Sequence, residues 1–258
     1  MKVLIIGTRR ARKTGRKLAS ALGAEYCENL LSRKEFKHVV FRYGNSTSLL
    51  PLSFGMLINR AIAINRATNK LEMKQILERY ELPTPRLLTS TDCEFPVVAR
   101  SVAHYQGRGF AIVRNKEEAK RALANGMFLQ EKIANKDEYR VFVMFGRVLE
   151  VNKKVPIGTP KSTTIRNYRN GWFFKWILVQ NAPKELKNIS VAAVSALGLD
   201  FGAVDCCFDI HENPWIFEVN TAPAMNDRKI AKVVRKIKEH YPEDWNQAGP
   251  ASAPTLSE

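Results

Sequence analysis

The chain has 258 residues, 45% of them hydrophobic and 26% charged, and carries a formal net charge of +16 at pH 7. That length and balance describe a globular protein with room for a substantial core in one large or two to three small domains. No apolar run approaches the length of a membrane span, and Lys2–Gly7 is too short for a signal-peptide core, so no membrane partner is expected. The positive charge points to an anionic partner without naming it: nucleotide, nucleic acid, acidic peptide and anionic metabolite all stay open.

Lys2–Gly7 (K-V-L-I-I-G) reads as a short buried strand, followed by a helix over Thr14–Leu22. The connecting T-R-R-A-R-K-T-G is neither G-x-G-x-x-G nor a P-loop, so it predicts no phosphate cradle. Its basic cluster, Arg9, Arg10, Arg12, Lys13, Arg16 and Lys17, fits a solvated helix face as well as it fits contact with an acidic substrate. Phe36–Phe41 reads as a second strand and Ile58–Asn65 as helical, which makes residues 1–66 a small α/β domain. Thr68 can cap a helix that runs to Tyr80 and stops at L-P-T-P.

Next come a strand at Phe95–Arg100, the loop S-V-A-H-Y-Q-G-R-G and a strand at Phe110–Val113. Gly107 and Gly109 in that loop would let main-chain N–H groups approach phosphates, although Q-G-R-G is also an ordinary hairpin turn. Asn115 and Glu118 form a capping-box-like start to a helix that ends near Gly126. Met127–Ile133 is a strand running into a hinge, Glu138–Phe145 alternates as another, and Arg147–Val155 continues the sheet. Pro156–Thr164 has the composition of a loop or lid, and Leu186–Leu197 that of a helix stopped by Gly198. Asp227–His240 is a basic amphipathic helix, and the polar tail from about Asn246 is expected to be disordered.

The densest chemistry lies in F-G-A-V-D-C-C-F-D-I-H-E-N-P-W-I-F-E-V-N-T-A-P, Phe201 to Pro223. Two apolar runs flank a turn cluster, which is the pattern of a β-hairpin. With a loop at Ile210–Asn213, Asp209 pairs with Pro214 and Asp205 falls opposite Glu218. The two-residue period then sets Asn220 on the face of Glu218. Three oxygen-bearing side chains on a stiff apolar ribbon suit a hard cation such as Mg²⁺. Cys27, Cys93, Cys206 and Cys207 have no C-x-x-C spacing and the four histidines are scattered. Neither a disulfide framework nor a zinc site is expected, and the thiols fit a reducing cytoplasm.

From about Asn59 to His240, these segments in order resemble the ATP-grasp carboxylate–amine ligases, most closely those like the ribosomal-protein glutamate ligases. The resemblance implies an α/β (α+β) ATP-grasp fold. A small N-terminal domain (1–66) would precede a central lobe (67–130), a C-terminal lobe with the metal site (131–244) and a tail (245–258). T-N-K-L-E-M-K-Q-I-L is similar to the helix whose lysine touches the nucleotide phosphates, which gives that role to Lys70. P-V-V-A-R is similar to the strand that ends in a second phosphate-binding lysine, here replaced by Arg100. H-Y-Q-G-R-G-F resembles the glycine-rich loop over the phosphates. Q-E-K-I resembles the hinge, with Gln130, Glu131, Lys132 and Ile133 near the adenine and Glu138 at the ribose. Asp205, Glu218 and Asn220 match the ligands of one or two Mg²⁺ ions, Mn²⁺ being the substitute. Arg140, Lys154 and Arg166 would lie near the γ-phosphate or acylphosphate, with Asn167 and Arg169 close by.

The activity implied is ATP-dependent joining of an amino acid or amine to an acidic peptide, protein tail or small carboxylate through an acylphosphate. Oligomeric state stays open. The alternatives are a nucleotide-binding protein that has lost ligation, or a basic nucleic-acid-binding protein. No nucleic-acid motif is present, so such binding is expected only as non-specific charge.

Overall fold

Three sheets carry the chain, and the computed structural model describes residues 2–29, 37–48, 54–102, 109–163 and 166–241. The first sheet is parallel, in the order β2-β1-β3-β4, from β1 (Val3–Gly7), β2 (Glu25–Cys27), β3 (Lys37–Tyr43) and β4 (Phe54–Ile58). The helix α1 (Arg12–Leu22) crosses between its first two strands and ends at Gly23, whose φ of 61° is the left-handed turn that glycine takes without strain. Ile58 therefore closes a strand rather than opening a helix. Asn59 (φ 63°) breaks the chain there, and its side chain donates to Phe201 O (2.9 Å) and accepts from the Asp200 and Phe201 amides (both 2.9 Å).

Two helices follow where the sequence predicts one, α2 (Ala61–Thr68) and α3 (Lys70–Arg79). The cap is Asn69, which accepts from the Glu72 amide (3.1 Å). The Thr68 hydroxyl instead bonds back to Ile64 O (2.9 Å) and Asn65 O (3.0 Å), closing the preceding helix. The second sheet is antiparallel, in the order β5-β8-β6-β7, from β5 (Leu87–Leu88), β6 (Val97–Ser101), β7 (Phe110–Val113) and β8 (Met127–Gln130). Beside it packs α4 (Lys116–Ala124), capped by Asn115 as expected, while Glu118 reaches back to the Arg114 amide. The strand expected to reach Ile133 stops at Gln130.

The third sheet is antiparallel, in the order β11-β10-β9-β12-β13. It comprises β9 (Asn135–Met144), β10 (Arg147–Pro156), β11 (Trp172–Ile177), β12 (Phe201–Asp209) and β13 (Pro214–Asn220), with α5 (Lys184–Ala196) and α6 (Asp227–His240). One face packs Tyr139, Val141, Val143, Val204, Cys206, Ile216 and Val219 against α2, α3 and α5. On the other face Phe142, Met144, Phe201 and Ala203 share a core with Ile5, Phe41 and Tyr43 of the first sheet and with Ile230, Val233 and Ile237 of α6. That cover stops short of Glu138, Arg140 and Asp205. Alternation along β9 and β12 puts those polar residues on the same face, where it opens as a cleft.

Buried Glu150 ties α6 to this sheet by pairing with Arg228 (3.0 Å), Lys229 (3.2 Å) and Lys232 (3.0 Å). Gly107, Phe36, Thr164 and the tail beyond Tyr241 lie outside the described residues. Among those described, no helix is long and apolar enough to cross a membrane.

The β12–β13 turn is built on Asp209. Its carboxylate accepts from the His211 amide (2.8 Å), the Asn213 amide (2.9 Å), Asn213 Nδ2 (3.2 Å) and Trp215 Nε1 (2.9 Å). Burial pushes this carboxyl up, but the donors outweigh it and hold its pKa down at about 2. A depressed carboxylate stabilises the fold above the ordinary Asp value of about 3.9, and this contribution is lost as the pH falls through about 2. Asp209→Asn should therefore lower the urea midpoint at pH 7, with the gap to wild type narrowing from about pH 4 downward; urea melts at several pH values check this.

Candidate active site

The cleft has a volume of about 770 Å³ and lies between the second and third sheets. Fifteen of the seventeen residues picked from the sequence line it: Lys70, Arg100, Gln130, Glu131, Lys132, Ile133, Glu138, Arg140, Lys154, Arg166, Asn167, Arg169, Asp205, Glu218 and Asn220. Gly109 does not; its carbonyl accepts from the Ser101 amide (2.9 Å) at the root of the loop. Gly107 belongs to the undescribed residues.

Asp205 and Glu218 are directly opposite across β12 and β13, but Pro214 pairs with Phe208, one residue from the expected Asp209. A bulge absorbs the difference. Cys206 pairs with Ile216, so Phe217 is the extra residue, and it lets Ile216 and Val219 both face the core while Glu218 faces the cleft. The bulge is pinned from outside the hairpin. Ile216 N donates to Pro83 O (2.7 Å), Thr84 Oγ1 donates to Ile216 O (3.0 Å), and buried Lys74 donates to Thr84 Oγ1 (2.8 Å). Burial pushes the Lys74 ammonium well below its usual value.

Cations surround the two acids. Arg140 grips Asp205 with Nε (2.6 Å) and Nη2 (2.7 Å), and its guanidinium lies 4.7 Å from the Phe174 ring centre. Arg100 donates from Nη2 to Glu218 (3.1 Å) and from Nη1 to Phe217 O (3.4 Å), and Lys70 Nζ is 3.7 Å from Glu218. A planar fork can hold the bulge carbonyl and the carboxylate together, which a single ammonium cannot do in the same geometry. Burial alone would raise the Glu218 carboxyl, yet Lys70, Arg100 and Arg140 hold it well below the carboxylate range. Asn220 donates to Glu218 (3.1 Å).

Two carboxylates and an amide oxygen on a rigid ribbon are the hard donors Mg²⁺ takes. Among the described residues no group of three or more His, Cys, Asp or Glu could hold a metal, so Asn220 and ligand oxygens would have to complete the set. The donors fit such an ion, and three cations against two acids suit a polyphosphate beside it. At the far end, Gln130 is buried and its Oε1 has no partner among the described residues. An orphaned acceptor of this kind fits an amine edge such as that of a purine.

Other site residues are held differently from expectation. Glu138 pairs closely with Lys154. Arg166 spends three of its five donors on the carbonyls of Thr163 (3.0 Å), Lys136 (2.9 Å) and Asn135 (2.8 Å), and among the described residues the other two meet no acceptor. The Asn167 side chain caps the short turn at Tyr168–Asn170, and the Glu131 carboxylate accepts from the Arg86 amide (2.7 Å). Phe174 and Thr84 join the site without a sequence motif to mark them, and so does Ala224, just past the quoted hairpin stretch whose end, Thr221–Pro223, also lines the cleft. Buried Lys74 lies in a helix whose spacing alone makes it a core position.

A protein-family model described as a RimK-like ATP-grasp domain matches residues 61–238. The chain belongs to the RimK-like ATP-grasp family. Among curated relatives of this ATP-grasp chain, a D-alanine–D-alanine ligase of Stutzerimonas stutzeri is 28% identical over 193 residues, which is 66% of this chain and 60% of that enzyme. One from Synechococcus is 29% identical over 186 residues, 64% of this chain and 57% of that enzyme. The match thus spans about three-fifths of those relatives. Among solved structures, the ATP-grasp ligase PsnB with its minimal precursor superposes with a TM-score of 0.68 at 14% identity, over 92% of this chain and 98% of that one. D-alanine–D-alanine ligase from Bacillus anthracis superposes with a TM-score of 0.65 at 18% identity, over 93% and 99%. These likenesses carry the ATP-grasp fold.

Thr84→Val removes the hydroxyl that accepts from Lys74 and donates to Ile216 O. It should cost about 1–3 kcal/mol, because two buried polar groups lose their partner; urea unfolding with nucleotide absent measures it.

Proposed function

We propose that this chain is an ATP-dependent carboxylate–amine ligase. It would join an amino acid or amine to a peptide, protein tail or small carboxylate and release ADP and phosphate. The observation that supports it is the cross-strand pair Asp205–Glu218, with Asn220 beside it and Lys70, Arg100 and Arg140 around it, in one cleft with the orphaned Gln130 acceptor. The two D-alanine–D-alanine ligase relatives and the peptide-bound PsnB structure agree with amide formation.

On this reading an acceptor carboxylate oxygen attacks the γ-phosphorus of ATP, the bond to the bridging oxygen breaks, and ADP leaves. The amine nitrogen then attacks the acyl carbon, phosphate leaves with its bonding pair, and the amine proton is lost to solvent or a neighbouring base. Such transfers depend on positioning and charge neutralisation more than on a protein nucleophile. Asp205, Glu218 and Asn220 would hold Mg²⁺ or Mn²⁺, which would draw charge from the phosphate oxygens. Lys70 and Arg100 would bind the phosphates, and Arg140, Lys154 and the two spare donors of Arg166 would offset charge on the transferring group. Gln130 and the Glu131–Ile133 hinge would hold the base, and Glu138 the ribose if Lys154 turns toward phosphate. Residues 1–66, 67–130 and 131–244 would act as the N-terminal, central and C-terminal lobes.

The test is ADP release from Mg-ATP across the common amino acids, with and without acidic peptides, and mass spectrometry of each mixture. Dependence on one amino acid, with the matching mass gain on an acceptor, is the expected result. ATP bound without turnover under every pairing would count for a nucleotide binder instead. Glu218→Ala should lower ADP formation about a hundredfold or more, and a variant near the wild-type rate would remove Glu218 from the metal set.

A further inference from the structure

Trp172, Phe174 and Trp176 share the cleft face of β11, and each lies against a cation from another element. Arg166 is 4.7 Å from the Trp172 ring centre, Arg140 and Lys154 are 4.7 and 5.6 Å from that of Phe174, and Arg228 and Lys232 are 4.5 and 5.8 Å from that of Trp176. Two strand residues advance about 7 Å, so this row of charge leaves the cleft and runs about 14 Å toward α6. Its carboxylates, Asp205, Glu138 and Glu150, are already paired with members of the row, and five cations stand against those three acids.

The same strand has an open edge, with β10 its one strand neighbour among the described residues. Gly171 O accepts from Ile157 N (2.8 Å), so the main-chain groups of Phe173, Lys175 and Ile177 point toward β10 by the two-residue period. Those of the even residues point outward, as Trp172 N shows by donating to Asn167 O (3.1 Å). Phe174 and Trp176 therefore each combine outward N–H and C=O groups with a ring on the cleft face, 40% and 39% exposed.

We propose that the outer edge of β11 is the bed for an extended acidic segment of the acceptor peptide, added as a further strand with a carboxylate at every second residue. The inference rests on the ligase reading for its acceptor. Main-chain pairing supplies affinity in such an added strand, and alternate side chains supply specificity. In an antiparallel pairing, the peptide residues bonded to Phe174 and Trp176 also turn their side chains to the cleft face, where the cations stand. The edge favours a peptide over nucleic acid, because it presents main-chain donors and acceptors at strand spacing and each ring already has a cation over it.

The test uses a fluorescein-labelled peptide of alternating Glu and Val, its block-ordered isomer, and versions N-methylated at the Glu or at the Val positions. Anisotropy with the full chain in Mg-ADP should show the alternating peptide binding best. N-methylation at Glu should weaken it about tenfold and methylation at Val should leave it unchanged. Trp176→Ala should weaken the alternating peptide about tenfold as well, with Mg-ADP affinity and thermal midpoint confirming the fold. Equal binding of the block isomer, wild-type affinity in Trp176→Ala, or displacement by oligo(dT) at matched charge would overturn the proposal. Calorimetry with Mg-ADP separates the two readings: nucleotide bound but no peptide bound removes the bed and leaves the ligase, whereas neither bound removes both.

Discussion

The cleft depends on one register, the pairing of Asp205 with Glu218 across β12 and β13. If β13 slipped by one residue, Glu218 would turn into the core under α2 and α5, where an unpaired charge costs several kcal/mol. The register is held by a bulge at Phe217, and the bulge is held by a strap distant in sequence, Pro83 and Thr84, with Lys74 beneath it. The acids are thus positioned by a main-chain irregularity that buried hydrogen bonds enforce.

Charge sets the next constraint. Two carboxylates side by side, one buried and one half-buried, would repel each other, and Arg140, Arg100 and Lys70 remove that cost while leaving positive charge over. Ligand oxygens entering the cleft meet groups that are already oriented, so little reorganisation is left for the reaction. Arg100 is particular in this respect, because its fork joins the acid to the carbonyl of the bulged residue and couples the second sheet to the third.

Much of this is legible in the sequence, for local reasons. Strand alternation and the turn cluster His211–Pro214 are enough to bring Asp205, Glu218 and Asn220 together, and Asn115 announces its helix through capping chemistry. What is not legible is set from far away. The one-residue offset at Pro214 comes from Pro83 and Thr84, which no local pattern connects to the hairpin. Thr68 and Asn69 are both competent caps, and the main chain decides between them. W-F-F-K-W-I lacks polar–apolar alternation, so β11 gives no period to read, and Phe174 goes unnoticed with it. The pairing of Glu138 with Lys154 and the carbonyl contacts of Arg166 likewise depend on tertiary proximity.

The apolar clusters also fix which parts share a foundation. The first sheet and the third are joined by one core and by Asn59 clamping Asp200 and Phe201. The cluster of the second sheet draws its buried members from Val97 to Leu129 alone, and its chain enters and leaves through Arg86 and Glu131, which bond each other twice. Mechanically this is a vice with one fixed jaw and one hinged jaw. Among the described residues, tilting the second sheet about the Arg86–Glu131 crossing would break polar contacts such as Arg100–Glu218 and Lys70 N–Val102 O but no shared apolar cluster, whereas tilting the first would tear one.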